Sequence, residues 1–438
     1  MQQVGMQSKW PELEGLDLTE QQKFYYDRFR FWRVVIAASV FYSFYYLGRL
    51  NWGICMPWII KDLGISKAQA GLGATLLLWA YAAGTFVSGR LGETVGERRL
   101  CLIGGVGTTI LNCLIALQSS LAAIFVPWTV NGFIQGQTYA PVNGMISNWY
   151  PKARRGRATG IFATSMGLST IVAWAVTGQA VAHFGWRWAF TWPLIGLTLP
   201  LTLMFYFVSR NRPEDVGLPP YRETAGGISA QAEMVKKEQI AGAKAWALLF
   251  RNWKFVLMCV ASFTVYVARY GLLTWIPLFY AETAGIQLKD VPIMTFALPI
   301  GMAFGPVLGG WLSDVVFGAK RWQMVTIYSL SAATVLLVMG FVPVKTMGLA
   351  WAVALQVVAG LLVLGVNGVL FTLACDFGGR RLAGTAVGTI NLFNYLGAGL
   401  QGVVIGGILQ ATGSWAAAWG FCGGLLVLAT IFAIIVRE

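Results

Sequence analysis

The chain has 438 residues and a formal net charge of +14, yet only 11% of its residues are charged and 57% are hydrophobic. A soluble chain carries about 25% charged residues, so this composition, with a mean hydropathy of +0.63, excludes a water-soluble globular protein. The basic residues sit in short segments between apolar runs and form no stripe, which argues against nucleic acid as a partner.

The apolar runs recur near the roughly 20 residues that a membrane-spanning helix needs. Alternating strands of about ten residues, the mark of a membrane barrel, are absent. In chain order the spacing predicts an N-terminal segment at 1–32, then helix 1 at 33–60, helix 2 at 69–92, helix 3 at 100–118 and helix 4 at 121–149. Helices 5 and 6 follow at 157–181 and 187–209, then a polar linker at 210–250. The second half reads as helix 7 at 252–282, helix 8 at 291–316, helix 9 at 322–342, helix 10 at 348–376, helix 11 at 382–410 and helix 12 at 414–436. The fold class is therefore all-α, with twelve transmembrane helices in two six-helix bundles: 33–209 before the linker and 251–438 after it. No cleavable signal peptide is read, because the first thirty residues are of mixed charge and the first apolar run is too long for one. The six cysteines, Cys55, Cys101, Cys113, Cys259, Cys375 and Cys422, form no CxxC and indicate neither a metal nor a disulfide framework.

An even number of helices puts both termini on one face. That face carries 25 of the 32 basic residues and the opposite face 5, so the termini and linker are expected in the cytoplasm of a cell whose inner membrane the chain spans. The two left over, Arg49 and Arg269, fall inside helices 1 and 7.

The halves repeat. Tyr46, Arg49 and Pro57 recur 220 positions later as Tyr266, Arg269 and Pro277. Gly89-Arg-Leu-Gly-Glu93, followed by Arg98, is matched by Gly310-Trp-Leu-Ser-Asp314, followed by Lys320 and Arg321; Arg154-Arg155 is matched by Arg380-Arg381, and Trp186 by Trp415. Parallel six-helix halves with a substrate between them are the plan of major facilitator carriers. The Gly-x-x-x-acidic loops resemble that superfamily's signature. Glu93, Arg98, Asp314, Lys320 and Arg321 are read as a charge latch that gates the cytoplasmic side, with the first copy degenerate because Thr94 follows Glu93.

Arginine at mid-membrane costs roughly 2.5–3.5 kcal/mol on insertion scales and cannot escape by losing its proton. Neither half offers a mid-helix Asp or Glu as a counter-ion; Glu282 and Asp376 lie at helix ends. The substrate itself is then the expected counter-ion, since guanidinium forks match phosphate, sulfonate and carboxylate oxygens. Tyr42, Tyr45 and Tyr46 precede Arg49 on one helical face and Tyr266 stands three before Arg269. Tyr81, Gln135, Asn143, Asn391, Asn394 and Tyr395 complete the candidate lining, though polar groups of this kind also serve helix–helix hydrogen bonds. The sole histidine, His183, falls at a helix end and is read as surface. No nucleophile–base set, metal cluster or phosphate loop is visible, so no enzyme and no cofactor is expected.

Tyr45-Tyr46-Leu-Gly-Arg49-Leu-Asn-Trp-Gly-Ile-Cys-Met-Pro57 resembles helix 1 of the organophosphate:phosphate antiporters. Tyr266-Val-Ala-Arg269-Tyr-Gly-Leu-Leu-Thr-Trp275 is similar to their helix 7, Arg212-Pro-Glu-Asp-Val-Gly-Leu-Pro-Pro220 to their linker, and Ala383-Gly-Thr-Ala with Tyr395-Leu-Gly to their helix 11. The resemblance implies that Arg49 and Arg269 bind a phosphoryl group and that inorganic phosphate is the counter-substrate, carried by a monomer. It also exposes departures. Leu50 stands where the family has a lysine, Thr85 where helix 2 has another, and Met166 near the position of a helix 5 histidine. A phosphonate, sulfonate or carboxylate therefore fits as well as a phosphate ester.

Two other readings remain. Arg49-Leu-Asn51 and Pro141-Val-Asn-Gly resemble proton- or sodium-coupled anion symporters, but Gly48, Gln135 and Gln137 occupy places where those carry carboxylates. A transporter-like sensor, which binds a ligand and signals to partner proteins, has no feature against it.

Overall fold

The computed structural model describes residues 18–220, 243–317 and 321–437, with Trp10, Leu13 and Leu16; within helices a few side chains, among them Glu93 and Asp314, are not described. Most of the expected linker, and Lys320, lie outside the described residues. Twelve spans are present: α1 (Glu20–Leu63), α2 (Lys67–Val95), α3 (Glu97–Ala116), α4 (Leu121–Gln135 with Tyr139–Trp149), α5 (Lys152–Phe184), α6 (Trp186–Val208), α7 (Trp253–Thr283), α8 (Leu288–Gly309), α9 (Arg321–Phe341), α10 (Leu349–Asn367), α11 (Thr385–Thr412) and α12 (Trp415–Ile435). Among the described residues eleven are long and apolar enough to cross a membrane; α4 is built from two shorter helices.

Three boundaries differ from the sequence reading. The helix expected from 33 already starts at Glu20, because Thr19 and Gln22 form a capping box and Phe29 stacks on Trp149 at 4.9 Å between ring centroids. The expected single helix at 121–149 breaks at Gly136–Thr138. Pro141 supplies no N–H for the carbonyl of Gln137, so the helical ladder has a gap there. At the break Gly136 presses on α2: a Cβ there would meet Thr85 N at 2.6 Å and Tyr81 O at 2.7 Å. Third, the predicted break at 377–381 stays helical, Leu349–Thr412 being one run, although the chain reverses within it. Tyr280 near one end of α7 donates to Ala352 O, Phe377 packs on Phe255 near the other end, and Trp275 then donates to Gln401.

The halves meet mainly over the part of the membrane away from the termini, here the distal side. Gly71 on α2 and Gly402 on α11 touch backbone to backbone; a Cβ on Gly71 would lie 2.0 Å from Gly402 O. Beside them Thr75 donates to Gly399 O at 2.6 Å and accepts from Val403 N at 3.1 Å. Trp79 donates to Leu396 O, and Trp174 on α5 donates to Thr295 on α8. Small residues that allow such approach are the usual means of joining helices in lipid.

Candidate substrate site: two arginines among tyrosines

Arg49 is placed by a polar network behind it. Gly48 O accepts from Asn131 Nδ2 at 2.7 Å and from Asn112 Nδ2 at 3.3 Å. Thr108 donates to Asn131 at 2.6 Å, Gln135 Nε2 donates to Thr108 and to Tyr45 O, and Asn51 donates to Asn112. These groups are buried and tie α1 to α3 and α4. A Cβ on Gly48 would meet Thr108 Cγ2 at 2.5 Å and Gln135 Nε2 at 2.9 Å. Gly48→Ala is expected to cost about 1–3 kcal/mol by overpacking and to lower the melting temperature of the purified protein. Gly388→Ala, where nothing lies within 4 Å, is expected to leave it unchanged.

The guanidinium of Arg49 is buried, 4% exposed. Its Cζ lies 3.7 Å from the Tyr46 ring centroid and 4.7 Å from that of Tyr81. Arg269 repeats the arrangement in the other half, 4.9 Å from Tyr266 and 5.2 Å from Tyr270. Tyr270, which lies against Arg269, also lines the small void beside Arg49, so the two arginines share a neighbour. Tyr395 joins the halves around it, 4.7 Å from Tyr81, 6.2 Å from Tyr266 and 6.3 Å from Tyr270 between ring centroids. Among the described residues neither arginine has an ion pair. Nε and Nη2 of Arg49 and Nε of Arg269 have no hydrogen-bond partner. Each ring face contributes roughly 0.5–2 kcal/mol to a cation, so two faces offset much of the ~2.5–3.5 kcal/mol insertion cost of an arginine. These three N–H groups stay unspent.

The other candidates divide. Tyr42 packs on Tyr46 and Tyr139 at 5.5 and 5.8 Å and lies at the edge of the cluster. Tyr45 turns away and donates to Ile134 O. Gln135 belongs to the network behind Gly48, and its Oε1 has no partner. Asn143 donates to Tyr139 O on its own helix. Asn394 accepts from Ser262 and leaves Nδ2 without a partner; Asn391, half-buried, lies one turn earlier. His183 is exposed. Three residues that the sequence reading passed over belong here: Tyr270, Tyr139, and Asn367 beside the Tyr266 hydroxyl. Tyr270 carried a signal, standing one turn after Tyr266 and next to Arg269.

On the distal side of Arg49 lies a void of about 30 Å³, lined by Trp52, Gly53, Trp128, Tyr270, Leu273 and Thr274, room for about one water. Of the latch residues, Arg321 pairs with Asp376 at 2.9 Å. Arg98 donates to Ser209 O at 3.2 Å, its main chain donates to Asn211, and its guanidinium lies 4.6 Å from the Tyr206 ring centroid.

A fold of two six-helix halves around a buried central site defines a membrane transporter. Residues 38–402 match the family model of the Major Facilitator Superfamily, and the chain belongs to that superfamily. It is 29% identical over 425 residues to a probable hexose phosphate transport protein of Chlamydia muridarum, covering 92% of this chain and 90% of that one. It is 27% identical to the membrane sensor protein UhpC of Salmonella typhimurium, over 92% of this chain and 89% of that one. It is 25% identical to the glycerol-3-phosphate transporter of Bacillus subtilis, over 96% of this chain and 95% of that one. Two of these three relatives are named for the transport of a phosphorylated compound, and the third is named a sensor. In fold it is similar to a bacterial homologue of the human lysosomal transporter Spinster, in an inward-facing and unoccupied conformation, with a TM-score of 0.73 at 17% identity over 93% of this chain and 95% of that one.

Proposed function

We propose that the protein is an alternating-access carrier of a small organic anion, an organophosphate or phosphonate, exchanged for inorganic phosphate, with Arg49 and Arg269 clamping the anionic group. The observation that carries this reading is the pair of buried guanidinium groups at equivalent places in the two halves, free of ion pairs among the described residues and with unspent N–H donors. A dianion between them would satisfy both. The names of the relatives point to phosphorylated substrates. The 25-to-5 distribution of basic residues supports cytoplasmic termini in an inner membrane. The carrier would act as a monomer, each chain holding a whole site. Arg98 and Arg321 would hold the cytoplasmic ends of helices, as gating residues and not substrate ligands.

A stability-shift screen of the purified protein against phosphate esters, phosphonates, sulfonates and carboxylates tests the ligand class. A ligand at 100 times its Kd stabilises the native state by about 2.7 kcal/mol. Phosphate esters or phosphonates are expected to raise the melting temperature most, and Arg49→Lys is expected to remove the shift. A shift produced only by carboxylates would overturn the organophosphate reading. The relative named a membrane sensor favours a second reading, a ligand sensor on the same fold. Reconstituted vesicles separate the two, because a sensor binds the anion without moving it.

A further inference from the structure

Each half ends its first helix in a carboxylate, and the two lie 220 positions apart like the arginines: Asp62 and Glu282. Each carboxylate takes the indole N–H of the tryptophan that opens the last helix of its own half. Trp186 donates to Asp62 at 2.9 Å and Trp415 donates to Glu282 at 2.8 Å. Each also has one cation, and here the symmetry fails. Asp62 pairs with Arg187, next to Trp186 and in the same half. At the matching place beside Trp415 the second half has Ala416. Glu282 instead pairs with Lys67 of the first half, Nζ to Oε2 2.8 Å. The Lys67 ammonium also lies 5.6 Å from the Trp415 ring centroid. Arg187 mirrors that contact inside its own half, 4.3 Å from Trp186.

The two triads therefore do different things. The Asp62–Trp186–Arg187 set moves with one half as a unit. The Glu282–Trp415–Lys67 set ties the halves together at the distal end of α2 and α7, beside the seam where Gly71 and Thr75 meet α11. Any motion that opens the central site toward the distal side must break it. We infer that Glu282 and Lys67 form the outer gate pair of this carrier, and that the matching Asp62–Arg187 pair has no part in gating. The pair is half-exposed, 24% and 36% for its two side chains. It is one small bias on top of the close glycine and threonine contacts of the seam. An exposed pair of this kind shifts an equilibrium by about 1.5- to 5-fold.

The inference does not depend on which anion is carried, and its test needs no substrate. Thr75→Cys in the full chain, in right-side-out membrane vesicles, places a thiol in the closed seam. Its rate of reaction with a membrane-impermeant maleimide reports opening, with the native-cysteine background taken from the chain that keeps Thr75. Adding Glu282→Gln preserves an acceptor for Trp415 and removes only the ion pair. It is expected to raise the labelling rate about 1.5- to 5-fold, and Lys67→Gln, which cuts the pair from the other half, is expected to match it. Asp62→Asn is expected to leave the rate unchanged, and Lys67→Glu combined with Glu282→Lys to bring it back down. An unchanged rate in both single-sided variants would overturn the assignment. So would an equal rise with Asp62→Asn, or a charge exchange that labels as fast as Glu282→Gln.

Discussion

Replacing either arginine by lysine is expected to abolish useful transport while the protein still inserts and melts as a folded unit. Arg49→Lys keeps the positive charge but gives up the planar fork, with its parallel donors, and the flat cation that fits between ring faces. The Cζ of Arg49 lies 3.7 Å from the Tyr46 ring centroid, a contact that a compact ammonium does not reproduce. Each lost charge-assisted hydrogen bond is worth about 1.5–3 kcal/mol, which converts to a fall of about 10- to 150-fold in uptake at limiting substrate. Arg269→Lys is expected to do the same, because Arg269 stands at the equivalent place and has its own pair of tyrosines. Initial rates of labelled uptake into reconstituted vesicles provide the measurement, with a thermal melt as the folding control. Near-normal uptake by either variant would show that the two groups do not act as one clamp.

The second large effect concerns coupling: counter-anion inside the vesicle is expected to accelerate uptake many-fold, and an imposed proton gradient to change it little. Among the described residues no carboxylate faces the arginines, and the charge at the site comes from groups that do not titrate at physiological pH. An empty site holds two like charges in a medium where their repulsion is poorly screened. Bringing the halves together around it is therefore costly, and a bound anion removes that cost. On the proposed reading the carrier would return most readily when loaded, which is exchange. Vesicles preloaded with unlabelled substrate or phosphate, set against empty vesicles with a proton gradient, decide the matter. Strong accumulation into empty vesicles driven by the gradient would promote the symporter reading in place of exchange.

Much of this architecture can be read from residue types alone. Long apolar runs mark the spans because lipid leaves the backbone no other partner, and the displaced Tyr–Arg–Pro triplets mark the two halves because function repeats where symmetry does. Other features depend on contacts distant in sequence. The break in α4 had a local cue in Pro141, but its position is fixed by the approach of Gly136 to α2. The start of α1 at Glu20 follows from a capping box together with the stacking of Phe29 on Trp149, a partner 120 positions away. The amides behind Gly48 are ordinary polar residues in the sequence, and only packing shows that Asn112 and Asn131 converge on one carbonyl. Tyr270 was passed over because its counterpart by the repeat is Leu50. The symmetry that revealed the arginines hid the tyrosine that departs from it.

The covering of both guanidinium groups by aromatic rings has a geometric consequence. With Tyr46 and Tyr81 against one cation and Tyr266 and Tyr270 against the other, the rings screen part of each arginine, and the N–H groups left without a partner are what a guest would meet. Bound by those groups, a guest would place its oxygens near the plane of each fork. A tetrahedral head with three free oxygens has more than one oxygen edge and can turn one to each fork, the two edges sharing an oxygen, whereas a flat carboxylate has a single edge and satisfies one fork at a time. On the proposed reading the rings would act as an orientation filter, sorting anions by the number of oxygen edges they present as well as by charge.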